Sequence, residues 1–130
     1  SWAQEAELTD GTTSGFGYLQ SNYMGTSCMF SADGRKLAIS NRLTDTAVNN
    51  VGGINVYARD SGSTTWYREA VITPNDDLGG TDNLSGAELG EGGINISGNG
   101  NFLFFGTSRP NGDGGAITSC GAAILIRDNG

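Results

Sequence analysis

The feature of this sequence that most restricts its fold is an internal repeat. Three segments recur in the same order: WAQEAELT as WYREAVIT, CMFSADGRKLAIS as INISGNGNFLFFG, and GINVYARD as GAAILIRD. The tryptophans of the first pair, Trp2 and Trp66, are 64 residues apart, and the arginines of the last pair, Arg59 and Arg127, are 68 apart. A nearly constant spacing of this kind predicts two copies of one structural unit, joined by loops of unequal length.

The two ends of the sequence look like the two sides of a cut made inside this repeat. In the first copy, Arg59 leads through a short Gly/Ser/Thr turn to Trp66. In the second copy, Arg127 is followed by three residues only, whereas the matching segment, WAQEAELT, stands at the other end of the chain. We therefore expect residues 2–8 to be the outer strand that the second unit otherwise lacks.

The apolar residues predict strands rather than helices. They form short runs that alternate at a period of two residues, and no stretch keeps a helical period over three turns. Asp33-Gly34 and Asn99-Gly100 lie between such runs, and these dipeptides predict tight hairpins. The predicted strands cover residues 28–31, 36–40, 53–59 and 66–72 in the first unit and residues 93–97, 101–106 and 121–127 in the second.

The alternation also predicts which side chains share a face of each sheet. In GINVYARD it places Val56 and Tyr57 on opposite faces. In WYREAVIT it places Trp66, Arg68, Ala70 and Ile72 on one face. The run FLFF in the second unit is apolar on both faces, which is typical of a strand sandwiched between two layers.

Taken in order, these elements resemble a known repeat. A Phe-Gly, a Ser-x-Asp/Asn-Gly turn, a Gly-x-x-x-Val-Tyr-x-Arg strand and a Trp-x-x-x-x-x-Leu/Ile strand resemble the FG-GAP-type repeats that form the blades of integrin-α-like β-propellers. The resemblance is carried by residues 16–17, 31–34, 37–39, 53–59 and 66–72, and by their second-copy counterparts 97–100, 103–106, 121–127 and 2–8. It implies an all-β, β-propeller-like fold with two four-stranded antiparallel blades per chain.

The resemblance also implies a division of residues 1–130, which would form a single two-blade repeat domain. Residues 1–9 would be a donated strand, residues 10–73 the first blade, and residues 74–130 the second blade. The members of this family that bind calcium carry an Asp-x-Asp/Asn-x-Asp/Asn-Gly loop, and no segment here matches it. No cofactor is therefore predicted. Calcium is the alternative that the resemblance implies, without a matching motif, and its ligands are unknown.

Two blades are too few for a closed propeller, which has about four to eight, and a stacked repeat needs neighbours to cover its faces. The chain is therefore either an excised piece of a longer propeller or a subunit that assembles head to tail. The position of WAQEAELT favours assembly, because strand addition to an exposed edge would complete the second blade of a neighbouring chain. The predicted interface, which would build a ring or a filament, consists of Trp2, Ala6, Leu8, Ile124 and Ile126.

The charge balance restricts the partners. Fourteen acidic and seven basic residues give a net charge of −7, which argues against nucleic acids and anionic membrane surfaces as partners. Glycine is abundant, with 22 residues, as is typical of extracellular all-β proteins whose tight turns need positive φ. We expect a secreted or cell-surface structural and adhesive module that binds other copies of itself, with a glycan or an extracellular protein as a further partner.

The sequence contains no histidine, which removes the commonest general base and excludes Ser-His and Cys-His nucleophile pairs. The acidic stretch at residues 74–91 could supply paired carboxylates, but nothing in it sets the separation that a glycosidase needs. We therefore predict that the chain is not an enzyme. The alternative function is a lectin-like propeller that binds sugars through exposed rings, although the same rings could instead fill gaps between blades: Phe16, Tyr18 and Tyr23.

Two further kinds of site are predicted. Cys28 and Cys120 are the only cysteines and would lie at the same rim of adjacent blades, so we predict a disulfide within or between chains. The alternative is a pair of small buried residues. Asn83 and Asn95 begin Asn-x-Ser sequons. Asn83 lies in a long loop and is the predicted glycosylation site, whereas a glycan on Asn95, in an inner strand, would clash between blades.

Overall fold

The computed structural model of the 130-residue chain describes residues 1–8, 24–41, 52–73, 88–107 and 121–129. These residues form seven strands and, within the same ranges, no helix. The strands are β1 (Met24–Phe30), β2 (Lys36–Asn41), β3 (Gly53–Ala58), β4 (Tyr67–Ile72), β5 (Ile94–Ile96), β6 (Phe102–Thr107) and β7 (Ala122–Arg127). The prediction of an all-β chain is therefore confirmed.

The strands form two antiparallel sheets. The first sheet has the order β1-β2-β3-β4, and the second sheet has the order β5-β6-β7. Each of these strands was predicted from the sequence, although β1 begins earlier than predicted, at Met24. Residues 1–8 contain no strand, so the donation of this segment to a neighbouring chain stays a prediction.

The hydrophobic core lies between the two sheets. One cluster of buried side chains draws on both of them: Ala38, Ile54, Val56, Ile72, Leu89, Ile94, Leu103 and Phe105. Ile54 is 0% exposed and Phe105 is 1% exposed, and full burial of one such side chain stabilises a fold by about 1.5–3 kcal/mol. A backbone hydrogen bond also joins the sheets, since the amide of Ala32 donates to the carbonyl oxygen of Gly98 at 3.1 Å. The sheets are therefore held face to face mainly by apolar packing.

The β1–β2 and β5–β6 hairpins use the same turn. In the first, the Ser31 hydroxyl donates a hydrogen bond to Asp33 Oδ1 at 2.6 Å and accepts one, at 2.9 Å, from the backbone amide of Lys36, the first residue of β2. In the second, the Ser97 hydroxyl donates a hydrogen bond to Asn99 Oδ1 at 2.8 Å and accepts one, at 2.9 Å, from the backbone amide of Phe102, the first residue of β6. Both predicted hairpins are confirmed. Asp33 and Asn99 do not have positive φ, so neither hairpin uses the two-residue turn that Asp-Gly and Asn-Gly favour.

A bulge in β4 separates side chains that the alternation predicts to lie together. The pairing of β3 with β4 shifts by one residue at Glu69, which has no direct cross-strand partner. A bulge of this kind reverses the alternation of the strand. Ile72 consequently lies in the core between the sheets, whereas Trp66 packs on the other face of the first sheet. Arg68 pairs with Tyr57 on that other face, so Trp66 and Arg68 share a face as predicted. The prediction that Ala70 and Ile72 lie on the same face as these two was wrong, because they pair with Val56 and Ile54 of the core.

The third strands of the two units are β3 and β7, and the structure aligns their residues differently from the sequence repeat. In the first sheet, Lys36 pairs with Ala58. In the second sheet, Phe102 stands at the repeat position of Lys36 and pairs with Arg127. Residues of β7 therefore correspond to residues of β3 that stand 69 positions earlier, as Arg127 and Ala58 do. The sequence match, which aligned the two arginines 68 positions apart, was wrong by one residue.

We predict that Asp33→Ala weakens the first sheet more than Asp33→Asn, because asparagine keeps the oxygen acceptor that Asn99 supplies in the second turn. Hydrogen bonds from the Ser31 hydroxyl and from the amide and guanidinium of Arg35 lower the pKa of Asp33 to about 2. The stability due to this carboxylate is therefore present above its unfolded pKa of about 3.9 and is lost as the pH falls through the folded pKa of about 2. Urea unfolding across this range should show an acid-dependent loss that Asp33→Asn lacks; the same loss in both proteins would contradict the prediction.

We predict that Gly90→Ala lowers the free energy of unfolding by about 2 kcal/mol or more, because it combines backbone strain with a steric clash. Gly90 has a φ of 76°, and a Cβ there would lie 2.8 Å from Cβ of Ser40, which is 0% exposed. Gly92→Ala is the matched control, since a Cβ at Gly92 meets nothing within 4 Å. Urea unfolding of both variants measures the difference, and equal losses would count against this account of Gly90.

Candidate functional site

The face of the second sheet that points away from the first sheet, here called the trailing face, is apolar and exposed. Phe102, Phe104 and Leu125 lie on it and are 40%, 48% and 66% exposed. Leu103 and Phe105 alternate with them along β6 and point into the core. Apolar side chains that are exposed together in this way are typical of interaction surfaces. Within the described residues, the predicted covering of FLFF by layers on both sides is found on one side only.

The equivalent surface of the first sheet is buried. Phe104 and Leu125 form a cross-strand pair, as Ala38 and Val56 do at the corresponding positions of the first sheet. Ala38 is 0% exposed and Val56 is 6% exposed, because the second sheet covers them. The trailing face therefore repeats a surface that is already buried once within the chain.

The face of the first sheet that points away from the second sheet is here called the leading face. Five apolar side chains define it: Phe30, Leu37, Ile39, Tyr57 and Trp66. Leu37, Ile39 and Tyr57 form a buried cluster, and Trp66 packs against it. Phe30 is 52% exposed, and its ring centroid lies 5.9 Å from that of Trp66. The leading face is thus more covered than the trailing face, but not fully.

Residues 1–8 provide part of the cover on the leading face. Leu8 packs against its buried cluster. Glu5 forms an ion pair with Arg59 and accepts a hydrogen bond from Trp66 Nε1 at 3.1 Å. The guanidinium of Arg59 in turn lies 4.7 Å over the Trp66 ring. Trp2, in contrast, is fully exposed, so the start of this segment extends into solvent.

A cavity of about 410 Å³ opens between the two sheets beside β4 and β7. Its walls are apolar on both sides: Val56, Ala70, Ile72, Leu103 and Ile126. At its rim, Lys36 Nζ forms ion pairs with Glu69 at 2.9 Å and with Asp128 at 2.8 Å. Burial alone would lower the pKa of Lys36, but hydrogen bonds and charge from Asp128 and Glu69 outweigh it and raise the pKa. An apolar cavity with a charged rim suits an apolar group that carries a polar atom.

The residues of the predicted assembly interface lie in two places. Trp2 and Ala6 are exposed, and Leu8 is partly buried on the leading face. Ile124 and Ile126 are partly buried and pack against the core between the sheets. Within the described residues, β7 pairs with β6 alone, so its outer edge is open there. The contact between residues 2–8 of one copy and β7 of another stays a prediction.

Several site residues were missed from the sequence. They are Glu5 and Arg59 on the leading face, Lys36, Glu69 and Asp128 at the cavity rim, and Phe102, Phe104 and Leu125 on the trailing face. One signal was available, because WAQE and WYRE each place a glutamate three residues after the tryptophan. Glu5 and Glu69 therefore occupy one repeat position, and both form ion pairs.

The other predicted sites lie mostly outside the described residues. Cys28 is exposed on the leading face, which does not fit the alternative of a buried pair. Cys120 is outside the described residues, so the disulfide stays a prediction, and the same holds for glycosylation of Asn83. Asn95 is described and exposed, and it pairs with Phe104 across β5 and β6. The aromatic residues of the lectin-like alternative are also outside: Phe16, Tyr18 and Tyr23.

Comparison with protein-family models, with curated proteins and with solved structures finds no match to this chain. The resemblance to FG-GAP repeats therefore stays a prediction. Within the described ranges, no helix is long and apolar enough to cross a membrane. In that same part of the chain, no three His, Cys, Asp or Glu side chains are grouped so that they could hold a metal ion.

We predict that Lys36→Met lowers the free energy of unfolding at neutral pH by about 1 kcal/mol, because Glu69 and Asp128 then face each other without a cation between them. The pKa of Lys36 is raised in the folded protein. Its ion pairs therefore contribute fully below the unfolded pKa of about 10.4, and this stability is lost as the pH rises through the folded pKa. Urea unfolding at rising pH should show a larger alkaline loss in the unaltered chain than in Lys36→Met. Identical alkaline profiles would refute this role of Lys36.

Proposed function

We propose that this chain is a structural or adhesive module that assembles head to tail, with the trailing face of one copy stacked on the leading face of the next. One observation carries the proposal. On the exposed trailing face, Phe104 and Leu125 form a cross-strand pair at the repeat positions of Ala38 and Val56, which the second sheet buries. A further sheet of the same kind is therefore the natural cover for the trailing face.

The leading face supports the same arrangement from the other side. In the repeat, the leading face of the first sheet corresponds to the core-facing side of the second sheet. Leu37 stands at the repeat position of Leu103, which lies in the core. Cys28 is exposed and stands at the repeat position of Ile94, which is 3% exposed. The trailing face thus corresponds to the covered face of the contact between the two sheets, and the leading face corresponds to the covering face. The two outward faces of different copies could therefore form the same kind of contact.

Contact between two unlike faces is heterologous, so it builds a ring if the rotation between copies closes and a filament if it does not. A propeller-like ring of about four to eight sheets would take roughly two to four copies. Residues 2–8 of one copy would then pair with the open edge of β7 in its neighbour, as in other cases of strand addition. The acidic, glycine-rich composition supports a secreted location for such a module.

We predict that the purified chain sediments as oligomers or polymers at micromolar concentration and that Phe104→Lys converts it to monomers. A lysine in an apolar contact would bury its charge without a partner, which is costly. Phe104 is 48% exposed, so the variant chain should fold, and circular dichroism checks this. Ser61→Lys adds the same charge at an exposed position in the β3–β4 turn and should leave assembly unchanged. Sedimentation velocity and negative-stain electron microscopy measure the assembly state.

Three outcomes would overturn the proposal. The first is an unaltered chain that is monomeric at every concentration. The second is Phe104→Lys that assembles as well as the unaltered chain. The third is Ser61→Lys that loses assembly to the same extent as Phe104→Lys, because added charge alone would then explain the effect.

A further inference from the structure

Residues 4–8 lie on the leading face in the way that β4 lies against the second sheet. The segments WAQEAELT and WYREAVIT place Leu8 and Ile72 at one repeat position. Ile72 belongs to the buried cluster that contains Leu103. Leu8 packs against the buried cluster that contains Leu37, the counterpart of Leu103. In position, residues 1–8 therefore correspond to the outer strand of a sheet that would stack on the leading face.

The charged residues follow the same correspondence. Glu5 and Glu69 share a repeat position. Arg59 and Asp128 also correspond, because each donates its backbone amide to the residue that precedes the second strand of its unit. Glu5 forms an ion pair with Arg59, and Glu69 and Asp128 are joined through Lys36. Each outer-strand glutamate thus lies beside the end of the third strand of the adjoining sheet.

The cavity between the sheets and a cavity beneath residues 1–8 are two versions of one site. The first is lined in part by Glu69, Ala70, Ile72, Leu103 and Asp128. The second is lined in part by the matching set Glu5, Ala6, Leu8, Leu37 and Arg59. The correspondence holds for the glutamate and for the apolar residues, whereas the cation at the rim is Lys36 in the first cavity and Arg59 in the second.

The two cavities differ in one wall. Trp66 lines the cavity on the leading face, and no tryptophan among the described residues lines the cavity between the sheets. The cavity that lacks the indole is the larger, at about 410 Å³ against about 290 Å³. The residue that shares the repeat position of Trp66 is Trp2, whose side chain is fully exposed.

We propose that the cavity between the sheets binds the indole of Trp2 from a second copy of the chain. This inference rests on the head-to-tail assembly proposed above and identifies the side chain that anchors it. The Trp2 indole enters the cavity as residues 2–8 of its copy pair with the open edge of β7. Its Nε1 donates a hydrogen bond to the Glu69 carboxylate, as Trp66 Nε1 donates to Glu5 at 3.1 Å.

The chemistry of the cavity suits an indole. The ring is largely apolar and has a single N–H donor, which needs one acceptor when it is buried. The cavity supplies apolar walls on both sheets and the Glu69 carboxylate at its rim. Lys36 lies at the same rim and can approach the ring face as a cation, in the way that Arg59 lies 4.7 Å over Trp66.

Sedimentation velocity of full-length variants tests the site from both sides. Trp2→Ala should raise the dissociation constant of assembly at least about 30-fold, because a buried interface tryptophan is a principal anchor. Ala70→Trp should do the same by placing a ring of the chain's own inside the cavity, and Ala70 is exposed, so the chain should still fold. Glu7→Ala, in the same segment as Trp2, and Ser61→Trp, outside both faces, are the controls and should leave the constant within a few-fold.

A synthetic peptide of residues 1–9 gives a second readout on the unaltered chain. The peptide should reduce the mean size of the assemblies, because it fills the cavity and covers the β7 edge without carrying a further copy. Its tryptophan emission should shift to shorter wavelength on binding. The same peptide with Trp2→Ala should do neither.

The outcomes separate this inference from the assembly on which it rests. Assembly that persists in both Trp2→Ala and Ala70→Trp would overturn the Trp2 site and leave head-to-tail stacking in place. A monomeric chain that binds the peptide through Trp2 would support the site and overturn self-assembly. A monomeric chain that does not bind the peptide would overturn both.

Discussion

The constraint on which this structure depends is that its middle strands are apolar on both sides. In β2, Leu37 and Ala38 point to opposite faces, and both are buried. In β6, Leu103 is buried, whereas Phe104 on the opposite face is 48% exposed. A strand of this kind needs a layer of structure on each side. The described chain supplies one layer contact, between its two sheets, and a partial second one where residues 1–8 cross the leading face.

The bulge at Glu69 lets a single strand contribute to two layers. Because of the extra residue, Ile72 points into the core while Trp66 points to the leading face. Glu69 itself reaches Lys36 at 2.9 Å, at the rim of the cavity between the sheets. A regular β4 would place Trp66 and Ile72 on the same face, and the leading face would lose its largest side chain. Bulges commonly re-aim side chains in this way.

The strands and hairpins of this chain could be predicted from the sequence, because period-two alternation and the Ser-x-Asp-Gly and Ser-x-Asn-Gly turns are local signals. The face of Trp66 could not, since WYREAVIT carries no mark of the bulge. The register of β7 could not either. Gly52 and Gly53 offer two starts for β3, and the match to Gly121 becomes clear only from the positive φ of Gly52 and Gly121, 75° and 67°. The cavity rim brings together side chains that are distant in the sequence, and no sequence pattern states which charges will meet.

The two outward faces of the chain are unlike, and this difference would give a row of copies a polarity. One end of the row would always present the trailing face, with Phe102, Phe104 and Leu125. The other end would always present the leading face with residues 1–8 upon it. Blocking one end of the row would therefore leave growth at the other end unaffected. A copy altered on a single face would stop growth in one direction only. Ring closure is the one arrangement in which neither kind of end remains.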